Sequence, residues 1–78
     1  MNATTDTFSF EGVTRFLRCQ KTGRYFTGSG WTPNQSNAKS YQAAMDVAEA
    51  CVSHDLHAVD LVIAAPHTGI QLFCTPVR

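Results

Sequence analysis

The chain has 78 residues, enough for one small domain and too few for a large enzyme fold with its own cofactor cleft. Hydrophobic residues make up 44%, too many for a disordered chain, and six basic side chains balance six acidic ones. That neutrality argues against a protein that coats a polyanion along its whole surface, and it favours burial of surface in a homodimer.

Residues 1–7 are rich in Thr, Asp and Asn and are expected to form a flexible tail ahead of a single domain over 8–78. Phe8 and Phe10 alternate with polar residues and could extend a first strand. The N-terminal stretch lacks the positive start and apolar core of a signal peptide, and no run of 18 apolar residues occurs. A cytoplasmic protein without membrane contact is therefore expected. Cys19, Cys51 and Cys74 are odd in number and widely spaced, which suggests reduced, buried thiols.

Val13 to Cys19, VTRFLRC, reads as a strand. Gly23 supplies the positive φ of a hairpin loop, and Arg24 to Thr27 returns. Gly28 to Asn37, GSGWTPNQSN, reads as a loop holding Trp31, which is expected to be buried as a lid on the core. A helix is expected from about Gln42 to His54, with Ala44, Val47, Ala48 and Cys51 on its apolar face and Tyr41 stapled onto Met45. Asp60 to Ala65 and Ile70 to Thr75 read as strands joined by a turn, with Phe73 on the sheet face away from the helix. The predicted fold class is α+β, two-layer: an antiparallel sheet with order β-β-α-β-β and one helix packed on one face.

Gly23 and Gly28 have the G-x-x-x-x-G spacing of a phosphate loop. The Lys and Ser/Thr that grip phosphate and magnesium are replaced by Ser29 and Gly30, and no helix follows at once. Cys51, His54 and His57, with Asp55 or Asp60 nearby, offer two or three of the four ligands a closed zinc site needs. The three thiols with His54, His57 or His67 do not make an evident nucleophile–base pair, and the carboxylates form no evident dyad. No cofactor and no catalytic activity are expected.

Arg15, Arg18, Lys21 and Arg24 carry four of the six basic charges, and no acid occurs between Glu11 and Asp46. With Tyr25 and Trp31 they form the candidate interaction or nucleic-acid patch, since cations grip phosphates and aromatics stack bases. Strand parity sets Arg15 and Arg18 on opposite faces, which weakens it.

The segments T-G-R-Y-F, Gly30-Trp31-Thr32, Ala38-Lys39-Ser40-Tyr41 and the paired Ala44 and Ala48 resemble those of small uncharacterised bacterial and phage α+β proteins. That family shows a T-G-[KR]-Y-aromatic turn, a G-W loop and an A-K-x-aromatic step before a helix. The resemblance covers about residues 15–56 and implies a fold, with no catalytic set to carry over. A looser similarity is to the sheet-plus-helix arm-binding domains of phage-type integrases. The function expected is a non-enzymatic interaction module that binds an unknown protein partner or its own copy. Weak nucleic-acid binding through the first hairpin is the alternative.

Overall fold

The computed structural model describes residues 12–66 and 68–78; the expected tail and the Phe8–Phe10 extension lie outside them. Strands β1 (Thr14–Cys19), β2 (Tyr25–Phe26) and β3 (Trp31–Thr32) precede a 3-10 turn (Gln35–Asn37) and helix α1 (Ala44–Ser53). Strands β4 (Val59–Ala64) and β5 (Gln71–Pro76) follow. The five strands form one antiparallel sheet in the order β3-β2-β1-β4-β5, so the architecture is α+β.

The third strand departs from the expected β-β-α-β-β order, because the glycine-rich stretch makes two successive hairpins. Gly23, at φ 76°, closes the first, with Cys19 N–H donating to Arg24 O at 2.8 Å. Gly28, at φ 102°, lies in the second, where Thr27 N–H donates to Gly30 O and Gly30 N–H to the Thr27 hydroxyl, both at 2.9 Å. Phe26 and Trp31 are the pair that this tight loop brings opposite each other. The loop that sequence pattern assigns to Trp31 is thus a strand.

The helix is shorter than expected. Ala43, its N-cap, offers no side-chain acceptor, and the chain enters α1 extended. At the other end Asp55 takes φ 51° and Leu56 N–H donates to Cys51 O at 2.9 Å, which turns Leu56 back into the core.

Register sorts the side chains. Leu17 lies opposite Leu61 and Cys19 opposite Val59, and Leu17 and Val59 pack with Phe26, Tyr41, Val47, Ala50, Cys51 and Leu56 under the helix. On the other face Phe16, Val62 and Ala64 pack with Tyr25, Ala38 and Cys74. The buried helical residues are Val47, Ala50 and Cys51, whereas Ala44 and Ala48, expected inside, are exposed. Met45 is 76% exposed and no staple to buried Tyr41 forms. The β4–β5 register runs unbroken to Ile63 opposite Phe73, and a bulge between Ile63 and Ala64 then sets Ala64 opposite Gln71. Phe73 consequently shares the face of Ile63 and Leu61, which is the helix side, and the expectation that it points away is corrected.

Candidate functional site: the helix-side surface of strand β5

Helix α1 carries two adjacent apolar rows. Val47, Ala50 and Cys51 are buried, and Ala44, Ala48 and Val52, spaced by four, form a second row beside them. That second row, with Val47, Cys51, Leu61, Val77 and Arg78, lines an apolar groove of about 410 Å³ between α1 and the β4–β5 edge. Val52 is 72% exposed, and Phe73 and Val77 on the same side of β5 are 52% and 39% exposed. Arg78 closes one end by donating to Cys51 O at 2.9 Å. Between Asp60 and Arg78 the sequence has no Asp, Glu, Lys or Arg.

The two edges of the sheet are unlike. β3 has two residues and is followed by Pro33, a short and blocked edge. β5 has six residues. Val77 donates its N–H to Val59 O at 3.1 Å, so alternation directs the backbone of Phe73, Thr75 and Val77 at β4 and that of Cys74 and Pro76 outward.

The sequence-derived patch does not come together. Arg15 and Arg18 stand on opposite faces: Arg15 donates to Gln42 O at 2.6 Å, and Arg18 donates to Gln71 Oε1 and Cys74 Sγ, both at 3.1 Å. The Arg18 guanidinium also lies 6.0 Å from the Tyr25 ring centroid, and Tyr25 meets Phe16 edge-on. What remains at the hairpin end is Lys21, exposed in the turn, with Arg24 and Trp31, which line a cavity of about 450 Å³ together with Cys19 and Thr22. Trp31 packs on Phe26 at 5.2 Å between centroids yet is 40% exposed, so it is no buried lid. It lies on an edge strand that leaves one side of the indole open.

The thiols differ from one another. Cys51 is buried, and burial pushes its thiol above the ordinary value. Cys74 is half-buried and pushed up by burial, with Arg18 drawing it back down. Cys19, expected in the core, is half-buried in the hairpin. Hydrogen bonds from the Thr22 hydroxyl and from the N–H groups of Thr22 and Lys21 hold its thiol below the ordinary value. His54, at the end of α1, meets Phe26 edge-on at 5.1 Å, and His57 pairs with Asp55 at 2.9 Å on the surface. Among the described residues no three His, Cys, Asp or Glu side chains gather as metal ligands, and no helix is long and apolar enough to cross a membrane.

The β5 surface was missed by sequence pattern for a physical reason. Alanines on both flanks of α1 leave the phase of its buried stripe ambiguous, and alternation groups Phe73 with Thr75 without saying which face of the sheet the helix covers. Set against known protein families, curated proteins and solved structures, the chain matches none.

Proposed function

We propose that this chain is a non-enzymatic interaction module that takes another polypeptide on the helix-side surface of β5. The observation that carries this reading is the second apolar row of α1, Ala44, Ala48 and Val52, facing a groove floored by Leu61 and Val77. An apolar row beside the buried one is costly to leave in water, since each fully buried Val or Leu contributes about 1.5–3 kcal/mol. A short apolar segment laid in the groove would cover it. The absence of charge along β5 favours a peptide over a polyanion.

Selection of random displayed peptides on the immobilised protein tests this. Selected peptides should shift the amide resonances of Val52, Leu61 and Val77, and Ala48→Glu should abolish their binding. Failure to select any peptide that depends on Ala48 ends the reading.

Nucleic-acid binding is the second reading, favoured by Arg24 and Trp31 lining one cavity with Lys21 beside it. Two cations would neutralise about two phosphates, giving a salt slope of only about −1.4 on a single strand. No binding of a labelled oligonucleotide at low salt would remove it.

A further inference from the structure

We infer that the polypeptide taken on this surface is a second copy of the same chain, paired antiparallel through β5 with Cys74 opposite Cys74 of the partner. This rests on the reading of the β5 surface given above. Outward-facing backbone at Cys74 and Pro76 restricts the register to pairings that set such residues opposite each other, and centring on Cys74 keeps a full exchange of N–H and C=O at the middle, which a pairing centred on Thr75 or Pro76 would lose to the proline. With Cys74 facing its counterpart, the two Cys74 residues exchange N–H and C=O, and Pro76, which has no N–H, lies opposite Leu72, the extra residue of the bulge. Pro76 therefore ends the ladder, and the two bonds of the Cys74 pair are its centre, with side-chain burial supplying the rest of the association. The bulge at one end and Pro76 at the other limit the pairing to a short segment, which closes as a two-fold dimer instead of growing.

The same register sets Phe73 of each copy against Thr75 of the other. Thr75 is small and faces Leu61 across the sheet, so an incoming ring can lean over it into the groove of Leu61, Val77 and Val52. Large opposes small in both directions. Val52, Leu72, Phe73 and Val77, at 72, 57, 52 and 39% exposed, present together on the order of 400 Å² of apolar surface. Specific dimers bury about 600 Å² per copy at the least, and the strand edge and the groove walls beside this patch are the surface that adds to it. Zero formal net charge leaves no general repulsion between copies.

Light scattering on the full chain over a concentration series up to about 1 mM should show a monomer–dimer equilibrium. Phe73→Ser should weaken it at least tenfold with an unchanged circular dichroism spectrum. A short bismaleimide should cross-link the Cys19→Ser protein through Cys74, and should yield no cross-linked dimer when Cys74→Ser is added. A monomer throughout the series overturns the inference while leaving groove binding of selected peptides intact. A dimer that neither cross-links through Cys74 nor weakens with Phe73→Ser also overturns it.

Discussion

Arg18 and Asp60 stand directly opposite each other on β1 and β4, yet the Arg18 guanidinium reaches past β4 to donate to Cys74 Sγ on β5 at 3.1 Å. Cys74 Sγ lies 3.6 Å from Asp60 Oδ2, and Gln20 donates to Asp60 Oδ1 at 2.9 Å, so one thiol sits between a cation and an anion. Burial raises that thiol, Arg18 lowers it and Asp60 raises it further. Arg18→Met should therefore push the Cys74 pKa higher still, and Asp60→Asn should bring it down. Alkylation rates of the Cys74 peptide against pH, followed by mass spectrometry in the Cys19→Ser background, measure both. Equal profiles in the two variants would mean that burial alone governs this thiol.

Cys19 should react first. Its thiol is held low chiefly by the Thr22 hydroxyl, then by two backbone N–H groups, with Lys21 adding a nearby positive charge. At pH 7.5, limited iodoacetamide should modify Cys19 ahead of Cys74 and Cys51. Thr22→Val should slow Cys19 severalfold by removing the leading donor, without altering the backbone ones. Faster labelling of Cys51 than of Cys19 would contradict the geometry.

Much of the sheet was legible in the sequence, because VTRFLRC, Gly23 and the two C-terminal strands are strong local signals. The existence of β3 was not, since two residues carry no periodicity and TGSG reads equally well as loop. Trp31 was placed inside on size alone, but it lies on an edge strand where only one face of the ring finds Phe26. The basic patch was misleading for a related reason. Proximity in sequence put four cations together, whereas the pleat separates Arg15 from Arg18, and the Gln42 carbonyl ahead of α1 engages the first while Gln71 on β5 engages the second.

Two left-handed residues were also invisible to pattern. Asp55 and Ala58 take φ 51° and 54°, conformations in which a Cβ costs about 1–2 kcal/mol. Ala58 is held there because its carbonyl accepts from Gln20 N–H at 2.8 Å. Ala58→Gly should raise stability by about 0.5–1 kcal/mol, the relieved strain being partly offset by the greater freedom of the unfolded chain. Gly23→Ala, at φ 76°, should do the opposite by about 1 kcal/mol although nothing crowds its Cβ. Urea midpoints decide both, and destabilisation by Ala58→Gly would refute the strain argument.

Alkaline pH should destabilise the fold through groups kept protonated inside it. Burial raises the Cys51 and Cys74 thiols above 9.0 and the Tyr41 hydroxyl above 10.0. A group with a raised folded pKa contributes stability that is complete below its unfolded value and is lost as pH rises through the folded one. Cys19, lowered in the fold, has the opposite sign and softens the fall. Urea midpoints should thus hold between pH 7 and 9 and decline from 9 to 11. Tyr41 gives the sharpest test, because its buried Oη has no hydrogen-bond partner among the described residues. Removing that hydroxyl with Tyr41→Phe deletes no bond, so stability at pH 7 should be unchanged or higher by up to about 1 kcal/mol. Above pH 10 the variant should lose less than the wild type. A loss of more than about 1 kcal/mol at pH 7 would show instead that the hydroxyl contributes a hydrogen bond.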